Sequence, residues 1–163
     1  MKLGLVVSEF NREVTREMEE RAVEKAEELG ADVVKVTVPG AYDTPLAAKR
    51  LCERDGIDAV ATAGAVVTGD TDHDAVVAET AADALTRLSL EHDKPVTLGI
   101  AGPGMSGAEA RERLDYGARA VESAVEMVRG LPEDSPPDGR DVRLLRRSPR
   151  LGCCPCLCVR LVP

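Results

Sequence analysis

Four short apolar runs alternate with four longer amphipathic segments along the first 130 residues. The short runs are continuous and rich in β-branched residues, which is typical of strands buried on both faces. The longer segments repeat apolar residues at intervals of three and four, as helices with one buried face do. The predicted strands are residues 3–7, 32–38, 58–63 and 95–100, and the predicted helices are 12–29, a segment that begins at Thr44-Pro45, 71–90 and 106–128.

Four successive strand–helix units predict a parallel sheet with helices on both faces. Because crossovers between parallel strands are right-handed, the simplest topology is a flavodoxin-like three-layer sandwich with a central four-stranded parallel sheet. Ligands bind beyond the carboxyl ends of the strands in such sheets. We therefore expect a functional site in the loops at that edge, which are residues 8–11, 39–43, 64–74 and 101–105.

The loop 64–74 carries His73, one of only two histidines in the chain. Thr71 and Asp74 have the spacing of a capping box, which predicts that a helix begins at Thr71. His73 would then lie in the first turn, where free backbone N–H groups favour a bound anion and a neutral, proton-accepting imidazole. A solvent-facing histidine beside a helix cap explains the same pattern.

The chain has no tryptophan, one phenylalanine and two tyrosines. Phe10 and Tyr42 both fall in loops at the predicted ligand edge, which favours a contact surface for a flat ligand. The alternative is that both rings pack into the core. Residues 102–107 match the pattern GxGxxG, but they follow the last strand, so we predict a tight turn and no NAD or FAD.

Composition and charge narrow the class of protein. The net charge is −8, which disfavours a nucleic-acid partner. No apolar run is long enough for a membrane span and no signal peptide is visible, so we expect a cytoplasmic protein.

The charge is −10 over residues 1–130 and +2 afterwards. We predict a domain at 1–130 and a poorly ordered Pro/Arg/Cys-rich tail at 131–163, whose four clustered cysteines lack a second ligand pair for a metal.

Several motifs, in their order and spacing, resemble the lumazine synthase family and its archaeal branch in particular. They are residues 8–11, 38–43 with 45–49, 64–74, 93–100, 102–105 and 112–117, and the resemblance covers residues 3 to about 129. It implies an enzyme of riboflavin biosynthesis that condenses 5-amino-6-(D-ribitylamino)uracil with 3,4-dihydroxy-2-butanone 4-phosphate. The product is 6,7-dimethyl-8-ribityllumazine, phosphate and water are released, and neither cofactor nor metal is expected.

The resemblance also implies roles for individual residues. His73 would be catalytic, as the proton shuttle. The residues implied to bind the ribitylaminouracil are Phe10, Ala41, Tyr42, Asp43, Ala65, Val66, Val67 and Leu98, and those implied to bind the butanone phosphate are Asp70, Thr71 and Arg113. In the family, Leu98 and Arg113 match residues of the neighbouring subunit, which implies a homo-oligomer, either a pentamer or a pentamer-based shell. From its helix alone, Arg113 could equally belong to a solvated face.

Two other functions fit part of the pattern. An archaeal-type riboflavin synthase would have a similar fold and the same loop as Val38-Pro39-Gly40. It would lack the G-x-T-x-H turn that this chain has at residues 69–73. A non-catalytic flavin- or lumazine-binding shell protein would keep the pocket, but it would need neither a proton shuttle at His73 nor a phosphate clamp at Arg113.

Overall fold

The computed structural model describes residues 1–69 and 73–131. The strands in these ranges are β1 (Lys2–Ser8), β2 (Asp32–Val38), β3 (Ala59–Ala65), β4 (Val96–Thr97) and β5 (Ile100–Ala101). The helices are α1 (Arg12–Glu28), α2 (Thr44–Cys52), α3 (His73–His92), α4 (Gly107–Arg111) and α5 (Tyr116–Gly130), and a 3-10 turn, Ala41–Asp43, precedes α2. No helix in the described ranges combines the length and apolar character needed to cross a membrane.

The strands form one parallel sheet in the order β2-β1-β3-β4, and β5 also pairs with β3. This is the strand order of flavodoxin-like folds, and it confirms the predicted fold class. Since all strands run in the same direction, their carboxyl ends meet at one edge of the sheet. The loops that follow β1, β2, β3 and β5 therefore lie side by side.

Helices cover both faces of the sheet. Met18 and Val121 are buried with Leu5 and Val7 on the face covered by α1 and α5. Leu51 and Leu85 are buried on the opposite face, which α2 and α3 cover. Burying a side chain of this size contributes about 1.5–3 kcal/mol, so the two cores stabilise the sheet that carries the loops.

The fourth strand, predicted to be continuous over 95–100, is split between β4 and β5. The Thr62 hydroxyl donates to the Thr97 carbonyl at 3.0 Å and accepts the Gly99 N–H at 3.1 Å, in place of a regular strand pairing. The backbone of Gly99 comes so close to Thr62 that a Cβ there would lie 2.0 Å from the Thr62 carbonyl oxygen. As a result Leu98, between the two short strands, is 49% exposed.

The last helix, predicted over 106–128, is also divided. Its predicted capping box is present, because Ser106 Oγ accepts the Glu109 N–H and the Glu109 carboxylate accepts the Ser106 N–H. The chain then turns between α4 and α5, and α5 packs closely on α1. A Cβ at Gly117 would lie 2.9 Å from the Met18 carbonyl oxygen. The predicted start of α3 at Thr71 and the tail beyond Leu131 lie outside the described residues.

Candidate active site

A cavity of about 390 Å³ opens at the carboxyl edge of the sheet, on the side covered by α2 and α3. The loops after β1, β2 and β3 and the first turns of α3 contribute its walls. Its lining residues are Phe10, Gly40, Ala41, Tyr42, Ala65, Val66, Val67, Gly69, His73, Asp74 and Val77. Phe10 is 68% and Tyr42 59% exposed, so these rings do not plug the core and instead offer apolar surface to a ligand.

The loop that carries Phe10 is held by the residue after it. Asn11 adopts a left-handed backbone conformation with φ 62°, which asparagine tolerates better than most residues. Its side-chain amide donates to the Ala65 carbonyl at 3.0 Å. The Phe10 N–H also donates to the Pro39 carbonyl at 2.9 Å. Three edge loops are thus joined around the aromatic ring.

The floor of the cavity consists of Ala65 and Val66, which are buried, and Val67. The Ala65 carbonyl already accepts a hydrogen bond from the Asn11 side chain, and the Val66 N–H donates to the Ala101 carbonyl at 2.8 Å. The backbone N–H and C=O of Val67 have no hydrogen-bond partner within residues 1–69 and 73–131. Of the three residues, Val67 is the one with neither backbone group paired in these ranges, so both of its groups can bind a ligand edge.

His73 begins the described part of α3, lines the cavity and is exposed. The next residue, Asp74, is almost buried, and its Oδ2 accepts the Gly104 N–H and the Thr68 hydroxyl, each at 3.0 Å. These donors, the Gly104 N–H above all, hold the pKa of Asp74 below the ordinary value of a carboxyl group. The sequence pattern marks Asp74 only as half of a helix cap and does not reveal this contact.

Not all the expected site residues meet at the cavity. The Asp43 carboxylate accepts the Gly40 N–H at 3.0 Å, beside the cavity but outside its lining. Leu98 projects from the split strand elsewhere, and the Arg113 guanidinium donates to the Glu109 carbonyl at 3.0 Å. Asp70 and Thr71 lie outside the described residues. The structure brings together Phe10, Ala41, Tyr42, Ala65, Val66, Val67 and His73.

The sequence that builds this fold matches a known family of enzymes. Residues 1–131 match the family model described as 6,7-dimethyl-8-ribityllumazine synthase. The chain belongs to the lumazine synthase family. It is therefore a transferase of riboflavin biosynthesis, as the sequence motifs predicted, and an archaeal-type riboflavin synthase is not favoured.

Individual lumazine synthases of archaea are similar over nearly their whole length. The one from Halobacterium salinarum is 63% identical over 131 residues, which cover 80% of this chain and 98% of that protein. The one from Methanopyrus kandleri is 57% identical over 134 residues, which cover 82% of this chain and 95% of that protein. The family match ends at Leu131, where the described part of this lumazine synthase also ends.

We found no group of three or more His, Cys, Asp or Glu side chains placed to hold a metal ion within the described ranges. The groups that line the cavity are aromatic rings, aliphatic side chains, backbone amides, one imidazole and one carboxylate. Such a set can bind a flat polar ring and transfer protons.

Proposed function

We propose that the cavity between Phe10, Tyr42 and His73 is the site where this lumazine synthase joins 5-amino-6-(D-ribitylamino)uracil to 3,4-dihydroxy-2-butanone 4-phosphate. The observation that carries the proposal is the meeting of two exposed aromatic rings and one imidazole at a single cavity. Its volume of about 390 Å³ lies within the range of small-molecule sites.

The ribitylaminouracil would occupy the part of the cavity between the β1 and β2 loops. Phe10 would stack on the pyrimidine ring, because its exposed face offers the offset contact that flat rings prefer. The free backbone groups of Val67 would bind the ring edge. Ala41 and Tyr42 would contact the ribityl chain, and the Asp43 carboxylate, which Gly40 orients, would accept hydrogen bonds from its hydroxyl groups.

His73 would carry protons between the reacting atoms. Imine formation between the amine and the ketone, elimination of phosphate and ring closure each require a proton to move. An imidazole can accept a proton at one atom and return it at another, so one side chain can serve all three steps. Because the reaction also needs two substrates held in one geometry, we assign much of the rate enhancement to their positioning.

The phosphate of the four-carbon substrate would bind near the start of α3. The N-terminus of this 20-residue helix favours an anion through its dipole and free N–H groups. Asp70 and Thr71 precede α3 in the sequence, and we propose that they form the phosphate loop. An arginine is the natural counter-charge because it can bind phosphate with two parallel hydrogen bonds.

Arg113 and Leu98 would reach this site from a neighbouring subunit. Neither residue lines the cavity of its own chain, and within that chain the Arg113 guanidinium donates a hydrogen bond to the Glu109 carbonyl. A complete site would then need two copies of the chain. We propose a cytoplasmic homo-oligomer, a pentamer or a shell of pentamers, with its sites at the subunit interfaces.

The direct test is to mix both substrates with the purified full chain and follow the fluorescent lumazine. His73→Ala should lower kcat by about 10²-fold, the usual contribution of a general acid–base. Pyrimidine binding should persist, because its contacts lie elsewhere in the cavity. His92→Ala, the other histidine, at the last residue of α3, is the matched control. Product formation no faster than the uncatalysed background, from an assembled oligomer, would overturn the proposal.

Shared sites can be tested by mixing subunits. His73→Ala and Arg113→Ala should each be slow alone, whereas co-expression should restore activity at sites that combine an intact histidine with an intact arginine. Random assembly places both at about a quarter of the sites of a head-to-tail ring. Two tagged copies of one variant serve as the control. If verified mixed oligomers stay as slow as either variant, the arginine does not act across the interface.

A further inference from the structure

Asp74 differs from its neighbour His73 in how it meets the cavity. Both residues line the cavity and lie in the first turn of α3, but His73 is exposed whereas Asp74 is only 9% exposed. A charged side chain is rarely buried to this extent unless hydrogen bonds satisfy it. The donors that satisfy Asp74 therefore show which parts of the molecule it connects.

Those donors belong to two different loops. Thr68 lies in the loop that leaves β3, and Gly104 lies in the loop between β5 and α4. Both donate to the same oxygen, Oδ2, at 3.0 Å. The two loops are also joined by the bond from the Thr68 N–H to the Met105 carbonyl at 2.8 Å. One carboxylate oxygen thus ties the start of α3 to a pair of loops that are already fixed to each other.

We propose that Asp74 is a positioning residue for the lumazine synthase reaction, which holds His73 at the cavity wall by tying the start of α3 to Thr68 and Gly104. The inference rests on the proposed function, in which His73 moves the protons. Proton transfer requires the donor and acceptor to lie within hydrogen-bond reach of each other. A displacement of about 1 Å can slow a reaction about 10²-fold, so loosening this connection should slow the chemistry.

The arrangement also suits a site that binds phosphate. A carboxylate without partners on the wall would repel the anion more strongly, whereas two donors of the protein partly compensate the Asp74 charge. The lowered pKa of Asp74 is consistent with an ionised group held by these donors. An ionised acceptor forms stronger hydrogen bonds than a neutral one, which favours aspartate over an uncharged residue here.

The first experiment measures kcat and KM of Asp74→Ala and Asp74→Asn. Asp74→Ala should lower kcat about ten- to hundredfold and change the KM for the ribitylaminouracil by less than about threefold. Asp74→Asn should fall between, because its amide oxygen can still accept from Thr68 and Gly104. Asp83→Ala on the same helix is the control, since Asp83 is exposed and pairs with Arg87 at 2.9 Å. An unchanged kcat, or an effect confined to KM, would contradict the proposal.

A double-mutant cycle separates positioning from a general structural effect. In the His73→Ala background, Asp74→Ala should lower kcat no further, because a residue that acts through His73 has nothing left to position. If it lowers kcat by the same factor in both backgrounds, Asp74 does not act through His73. If His73→Ala alone is as fast as the wild type, the proton-shuttle role in the proposed function is wrong, whatever Asp74 does.

Thr68→Val provides the same test without touching the carboxylate. It removes one donor and nearly preserves the side-chain volume, so kcat should fall severalfold in the wild-type background and not at all beside His73→Ala. This variant, with Asp74→Asn, decides the question if Asp74→Ala does not assemble. Equal effects of Thr68→Val in the two backgrounds would overturn the proposal.

Discussion

Phe10 is exposed at the cavity because of the residue that follows it. Asn11 turns the backbone through a left-handed conformation and bonds to the Ala65 carbonyl. The aromatic residues and His73 could be predicted as edge-loop residues, because strand periodicity places those loops. The roles of Asn11 and Asp74 could not, since their partners Ala65 and Gly104 are 54 and 30 residues away in the sequence. The scarcity of asparagine, which occurs once, was the only local signal.

Removing the Phe10 ring tests its proposed stacking role. Phe10→Ala should raise the KM for the ribitylaminouracil about tenfold, since base–aromatic stacking contributes about 1–3 kcal/mol. The melting temperature should not change, because the ring is 68% exposed. Leu46→Ala is a matched control on α2, at 65% exposure and outside the cavity. Steady-state kinetics with an unchanged KM would exclude stacking by Phe10.

The division of the fourth strand is the main departure at the scale of elements. A continuous apolar run predicts one strand. Hydrophobic periodicity carries no information about hydrogen-bond partners, so it could not predict that the Thr62 hydroxyl bonds to the backbone of Thr97 and Gly99 in place of another backbone group. Gly99 was the available signal, because a glycine inside a strand marks a bulge or a close backbone approach. The capping box at Ser106 was predictable because both of its partners are local.

Two glycine substitutions should have opposite effects on stability. Gly99→Ala places a Cβ 2.0 Å from the Thr62 carbonyl oxygen, so it should destabilise the protein by about 1–3 kcal/mol or more. At Gly107, in α4, a Cβ meets no atom within 4 Å. Gly107→Ala should stabilise by about 0.4–1 kcal/mol by restricting the unfolded chain. Urea unfolding measures both, and equal effects would contradict this account of the split strand.

Acid should destabilise the protein through two carboxyl groups, one at the cavity wall and one at the cap of α4. Backbone and hydroxyl donors lower the pKa of Asp74 below 3.8 and that of Glu109 below 4.5. As the pH falls, the two carboxyl groups therefore take up protons in the unfolded chain before they do so in the folded protein. Their contribution to the free energy of unfolding is fully present above the ordinary pKa values and is lost as the pH falls through the lowered pKa values. The urea concentration at the midpoint of unfolding should decrease less between about pH 6 and pH 3 in Asp74→Asn and in Glu109→Gln than in the wild type. Glu24→Gln, on the exposed face of α1, should leave this decrease unchanged.

At the scale of the whole molecule, the family match and the described fold end together at Leu131. The Leu131 N–H still donates to the Met127 carbonyl, which closes the last turn of α5. The change of charge after residue 130 was visible in the sequence. The proposed contacts with a second copy were not, because hydrophobic periodicity in one chain does not distinguish an exposed residue such as Leu98 from one that a neighbour covers.

Deletion of residues 132–163 should leave kcat and the oligomer unchanged, because the lumazine synthase match does not include them. Gel filtration and lumazine formation measure the two properties. A truncation after Ala120 is the control, since it removes Val121 and Val125, which are fully buried, and should abolish assembly. A loss of activity in the shorter deletion would assign the tail a role in the enzyme.

The place of Tyr42 also determines what light the protein can emit. Without tryptophan, its ultraviolet emission comes mainly from two phenol rings. One is Tyr42 at the cavity, and the other is Tyr116 at the start of α5, with the Arg119 guanidinium 5.8 Å from its ring centre. In Tyr116→Phe, Tyr42 would be the single emitter. Occupancy of the cavity could then be followed in that variant as quenching of a single ring, without a dye.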